Sequence, residues 1–293
     1  MTHFEKRYLH AALTELSLEI GVHDLAALQQ HSHLLAAGGR VYVNAVAGEG
    51  TAARINAAEQ IKTCGFRPVP HIAARRMQSE QKLDDYLAGF VERAGVNEIL
   101  VIGGDLCEPL GPFSSALDVI ESGLPAKHGI SRIGVAGYPN GHPDIDTAVL
   151  NQALQEKLAA CKSATIDPYV VTQFSFQAAA IIDWCRATHE KYPGLPIHAG
   201  IPGPAKLGTL LRYARICGVQ TSVRKMQANK DLAFELLRRA APWEQLEAIG
   251  QYRLDTGQPL SAHLFTFGGL KETASWLQQA AKGRKGSSDV VEF

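Results

Sequence analysis

The sequence predicts an α/β fold, a single (β/α)8 barrel. Three observations lead there. Eight short apolar, β-branched-rich runs are spread along the chain. Amphipathic segments with apolar residues every three or four positions lie between them. The length, 293 residues, suits one such barrel, which needs about 250. An open doubly wound sheet is the alternative, because periodicity alone does not show closure.

The candidate strands, in order, are LSLEI (16–20), VYVNAV (41–46), RPVPHI (67–72), EILVIGG (98–104), RIGVAGY (132–138), YVVTQF (169–174), PIHAGI (196–201) and HLFTFGG (263–269). Several are nearly continuous apolar runs, as expected of parallel strands buried on both faces. Helix patterns include DLAALQQHSHLLAAG, TAARINAAEQIKTCG, SEQKLDDYLAGFVERAG and AKLGTLLRYARICG, with closing glycines suited to a helix C′ position. The connection 202–262 is unusually long and holds two further helix patterns, around DLAFELLRRAA and APWEQLEAIGQYRLD. No Pro-, Gly- or Ser-rich linker divides residues 1–293, so one barrel domain is expected, with a frayed tail after 279.

Composition narrows the function classes. Apolar residues make up 46% and charged residues 20%, with 29 Lys plus Arg against 29 Asp plus Glu. No net field favours nucleic acid or an anionic membrane. The five cysteines include no Cys-x-x-Cys pair, which reads as reduced thiols in a cytoplasmic protein. The start MTHFEKRYLHAALTEL lacks an apolar signal core, and no run approaches a membrane span. No metal site is expected; His31 and His33, two apart on a helix pattern, do not share a face.

Polar residues at the C-terminal ends of barrel strands face the active site. Those ends give Glu19, Asn44, His71, Asp105, Tyr138, His142 in the next loop, and Gln173. Each has a plainer reading. Glu19, if inward, is a carboxyl whose pKa desolvation would raise, as a general acid requires; it could equally be a structural salt bridge. Asp105 could N-cap the next segment, His71 could be a core histidine, and GYPNGHP could be turn chemistry. Gln173 suits the donor–acceptor edge of a heterocycle or a satisfied buried amide. GEGTAA (48–53) could hold a phosphate, although a tight turn into a helix explains it as well. The basic stretch RYARICGVQTSVRK reads as a solvated helix face.

Taken together, these strand ends resemble the methylenetetrahydrofolate reductase family, over about Ser17 to Gly269. SLEI is similar to its Phe-Glu-Phe first strand and VPHIAAR to its Pro-His-Leu segment. VIGGD resembles Leu-Arg-Gly-Asp, GVAGYPNGHPD resembles Ala-Tyr-Pro-x-x-His-Pro, and VVTQFSF resembles Thr-Gln-Phe-Phe-Phe. HAGIPGP and HLFTFGG are similar to strands seven and eight.

The resemblance implies non-covalent FAD at the C-terminal face and hydride transfer interconverting 5,10-methylenetetrahydrofolate and 5-methyltetrahydrofolate, with NADH or NADPH as donor. It implies that Glu19 is the general acid, and that Asp105 contacts the pterin and tunes the flavin. Gln173 becomes a pterin-binding residue, and Asn44, His71, Tyr138, His142 and Lys157 become FAD contacts. Gly103 and Gly104 line the cofactor beside Asp105. The chain departs from the pattern at Asn44 for threonine, Gly103 for arginine, Leu18 and Ile20 for aromatics, Gly21-Val22 for Pro-Pro, and Leu150 and Glu156 for aspartate and arginine. Loss of cations near the phosphates is expected to weaken FAD binding. A divergent member with another electron donor, such as a partner protein, a silent folate- or flavin-binding barrel, and a pterin-binding methyltransferase stay open. So does a homo-oligomer.

Overall fold

A computed structural model describes residues 3–45, 48–217 and 242–282. Eight parallel strands close into a barrel in sequence order: β1 Ser17–Ile20, β2 Arg40–Val43, β3 Arg67–Ala73, β4 Glu98–Ile102, β5 Arg132–Gly137, β6 Asp167–Thr172, β7 Ile197–Pro202 and β8 Leu260–Phe265. Closure comes from β1 beside β8, with Ser17 opposite His263 and Glu19 opposite Phe265. This excludes the open sheet.

The helices among the described residues are α1 His3–Leu13, α2 Leu25–His31, α3 Thr51–Thr63, α4 Glu80–Ala94, α5 Ala116–Glu121, α6 Leu124–Lys127, α7 Thr147–Ser163, α8 Ala178–Lys191, α9 Leu207–Ile216, α10 Trp243–Thr256 and α11 Leu270–Ala281. They form where the sequence pattern and caps agree. In α4, Ser79 accepts from the Lys82 N–H, and Gly95 closes the helix in the left-handed region. Helix α1 lies outside the expected elements; it packs on α10.

The strand ends shift from the sequence expectation in a systematic way. β2 stops at Val43, leaving Asn44 at the head of the loop, and Val46 lies outside the described residues. β8 starts at Leu260 and stops at Phe265. Phe267 and Gly269 then donate back to Phe265 and Thr266, turning the chain. Of the long 202–262 connection, α9 and α10 are described, and the DLAFELLRRAA pattern falls outside the described residues. The final helix runs to Ala281, so the first residues of the expected frayed tail are helical.

The main core lies between strands and helices, with Ile20, Val41, Ile72, Ile99, Val135, Ile197 and Leu264 facing outward onto it. Inside the barrel the filling is unusually polar. Tyr42 and Tyr169 meet at their hydroxyls (3.2 Å), Arg40 donates to Glu98 (3.1 Å), and His198 meets Ser261 (2.6 Å). Pairing matters because an unpaired polar group in that environment is costly. Gly134 makes room for the Tyr169 ring: a Cβ there would lie 2.6 Å from Tyr169 Cζ.

Candidate active site

The inward period of two places Ser17 and Glu19 on β1, Tyr42 on β2 and Asn44 just after it, His71 on β3 and His263 on β8 toward the upper part of the barrel. Glu19 is the centre of this layer, with its side chain 13% exposed. Its Oε2 lies 3.5 Å from His71 Nε2 and 3.4 Å from His263 Nε2. The Asn44 amide also bonds to it. Thr266 Oγ1 donates to the Glu19 carbonyl at 2.7 Å, tying β1 to the turn after β8.

His263 is fully buried, and its Nδ1 meets Ser17 Oγ at 2.9 Å. Nδ1 is held by the Ser17 hydroxyl, which turns Nε2 toward Glu19. Sequence reasoning did not single out His263 or Ser17. The signal was present as two inward positions, Ser17 and Glu19 on one strand, and His263 two residues before Phe265. Only closure of β8 on β1 makes them neighbours.

The electrostatics correct one expectation. Burial by itself pushes the Glu19 carboxyl up, but attraction to His71, the bond and charge of His263, and the Asn44 amide together outweigh it. The result lies below the ordinary carboxylate range. His71 is held below its usual value chiefly by burial, against the pull of Glu19. The ligand-free site therefore favours Glu19 as the carboxylate, flanked by His71 Nε2 and His263 Nε2.

Asp105 stands apart from this cluster. It lies beyond β4, 66% exposed, and both carboxylate oxygens are gripped by Arg76: Nε to Oδ1 at 2.8 Å and Nη2 to Oδ2 at 2.7 Å. The Arg76 bond holds its carboxyl below the usual range. Asp105 is not an N-cap, since Ser115 caps α5. Gly104 adopts φ +95°, which favours glycine in this turn. The space beside Gly103 is open: a Cβ added there would meet nothing within 4 Å.

The remaining predicted residues follow the rim. Tyr138 and His142 meet edge to face, with centroids 5.5 Å apart, and burial raises the Tyr138 hydroxyl pKa. His142 Nδ1 accepts from the Asp144 N–H. Gln173 turns its Oε1 onto the Phe174 N–H (3.0 Å), so in this state part of its amide serves the loop after β6. Lys157, on α7, is pushed down by burial. A cluster of Phe174, Phe176, Phe265, Phe267 and Tyr213 covers the β6–β8 side, with Tyr213 stacked on Phe267 at 4.2 Å.

A family model described as methylenetetrahydrofolate reductase matches residues 23–232. The chain belongs to the methylenetetrahydrofolate reductase family. The matched span starts after Glu19 and ends before β8, so the Glu19–His263 pairing is a result of barrel geometry. Among solved structures, a D-psicose 3-epimerase determined in the presence of D-fructose is similar at 13% identity and TM-score 0.47, with 92% of this chain and 96% of that chain covered. No described group of His, Cys, Asp and Glu could hold a metal ion. No described helix is long and apolar enough to cross a membrane.

Proposed function

We propose that this family member is a flavin-dependent oxidoreductase that interconverts 5,10-methylenetetrahydrofolate and 5-methyltetrahydrofolate in one-carbon and methionine metabolism. The observation that carries the reading is Glu19, a carboxyl set in the barrel mouth between His71 and His263. The reaction needs such a group. A neutral aminal carbon is a poor hydride acceptor until one bridge nitrogen is protonated and the ring opens to an iminium. Glu19 takes that proton up in the oxidative direction and, once it has been protonated, gives it in the reductive one. Its ionised state in the ligand-free barrel is the form that accepts a proton from 5-methyltetrahydrofolate.

The residues present fit FAD. Asn44 Oδ1, His71 Nε2 and Asn140 Oδ1 are buried without a hydrogen-bond partner, and they follow β2, lie on β3 and follow β5, on one arc of the rim. Lys157 is partly desolvated, and a phosphate beside it would offset that desolvation. Asn44, His71, Tyr138, His142 and Lys157 would hold the cofactor, with Gly103, Gly104 and Asp105 along its edge. FAD bound there supplies the hydride, and NADH or NADPH renews it. Gln173 and Asp105 orient the pterin by its donor and acceptor edge. A second reading, weak FAD retention or a protein electron donor, is favoured by Gly103, which has no side chain and leaves open space at the tip of β4. The balanced charge and free thiols fit a cytoplasmic enzyme with a folate partner and no nucleic-acid or membrane partner.

The test is an anaerobic absorbance titration of the purified protein with FAD, then NADH, NADPH and 5-methyltetrahydrofolate in turn. The reading expects a perturbed flavin band, bleaching by a nicotinamide or by the methyl folate, and recovery on adding 5,10-methylenetetrahydrofolate. A bound flavin indifferent to both folates overturns it.

A further inference from the structure

The Arg76–Asp105 pair is built more firmly than an exposed ion pair needs. Arg76 ends the turn after β3, and its side chain is 19% exposed. Its neighbour Arg75 staples that turn to the loop after β4. The Arg75 N–H donates to the Gly103 carbonyl (3.0 Å), and the Leu110 N–H donates to the Arg75 carbonyl (2.8 Å). The Arg75 guanidinium reaches the carbonyls of Ser114 (2.7 Å) and Leu106 (2.9 Å). Both loops are therefore fixed before any ligand arrives, and the fork is preorganised.

A guanidinium has five N–H donors and a carboxylate about four lone-pair directions. The fork uses two of each. What remains is an acceptor on Asp105 beside a donor on Arg76, at the tip of β4 where the glycine at 103 leaves open space. We infer that Arg76 and Asp105 together read a lactam edge, an N–H next to a C=O, on the pterin ring. Asp105 accepts from the ring N–H, and Arg76 donates to the adjacent carbonyl. This rests on the folate reading above and assigns Arg76 as its specificity-determining residue. In a 2,4-diamino ring both groups reverse: the ring nitrogen loses its hydrogen and faces Asp105 as an acceptor, and the amino group faces Arg76 as a donor. The pair therefore rejects that ring at both positions, and Arg76 supplies the part of the discrimination that reads the carbonyl.

The experiment measures binding of 5-methyltetrahydrofolate and of a 2,4-diamino pteridine analogue, in which the lactam carbonyl is an amino group. Calorimetry on wild type, Arg76→Ala and Arg76→Lys, each with and without added FAD, gives the affinities. Wild type is expected to prefer the lactam ligand. Arg76→Ala should lose about 10- to 100-fold for that ligand, the scale of one hydrogen bond to a charged donor, and little for the diamino analogue, so the preference narrows by that factor while Asp105 keeps the rest. Arg76→Lys, which keeps charge but not the planar fork, should fall between and reads the effect if the alanine variant does not fold. Equal losses for both ligands, or no preference in the wild type, overturn the inference while leaving the folate reading intact. A folded wild type that binds neither pteridine overturns both.

Discussion

Glu19→Gln separates chemistry from architecture because the carboxyl's contacts are long and replaceable. Oε2 sits 3.4 Å from His263 Nε2 and 3.5 Å from His71 Nε2. Both contacts are made by the same oxygen, so a glutamine carbonyl in that place still meets both rings. The substitution also removes a buried negative charge whose attractions outweigh its desolvation, so the fold loses a little stability. The expected stability change is within about 1 kcal/mol. The chemical loss is larger. A positioned acid contributes about 10²- to 10⁴-fold, or roughly 3–5 kcal/mol of barrier at 1.36 kcal/mol per decade. The assay is stopped-flow absorbance of flavin-loaded protein, with the half-reactions measured separately. Reoxidation by 5,10-methylenetetrahydrofolate should slow by that factor, and reduction by the nicotinamide donor should stay within a few-fold. Unchanged folate reoxidation, with the fold intact by urea titration, refutes the assignment of Glu19 as the acid.

The folded Glu19 carboxyl lies below its unfolded value; its contribution to stability is therefore full above the unfolded pKa and disappears as pH falls through the folded one. Urea midpoints between about pH 7 and pH 3 should drop less steeply in Glu19→Gln than in wild type, and parallel curves would contradict the direction of the shift. Gly134→Ala would place a Cβ 2.6 Å from Tyr169 Cζ and 2.8 Å from its hydroxyl, costing about 1–3 kcal/mol by overpacking; an unchanged urea midpoint would show that the ring has room. Cys107 is exposed, whereas burial pushes Cys161 up to about 11 and Cys185 higher still. Native protein should label first at Cys107 with Ellman's reagent, and release of Cys161 and Cys185 should need denaturant; equally fast labelling of Cys185 would refute its burial.

How legible the site was depended on the range of the interaction. Glu19, Asn44 and His71 are visible because each is a polar residue at the end of an apolar run, and the barrel brings these three into one layer. Asp105 is visible for the same reason, yet its partner is not. Arg76 looks like a solvated cation in AARRM, and only the stapling of two loops sets it against Asp105. The sign of the Glu19 shift was also out of reach. Desolvation is a property of a buried position and could be anticipated, but the opposing influences come from β2, β3 and β8, whose approach depends on register and closure.

By itself the sequence determined the eight strand–helix units, the order of polar strand ends and the family resemblance, because periodicity and short motifs are local in the chain. Tertiary structure alone decided that β8 closes on β1, that His263 oriented by Ser17 faces Glu19, and that Arg76 completes Asp105. The physical reason is distance along the chain. Charge and hydrogen-bond energies depend on separations of a few ångströms, and residues 244 apart, such as Glu19 and His263, acquire such a separation only when the barrel shuts.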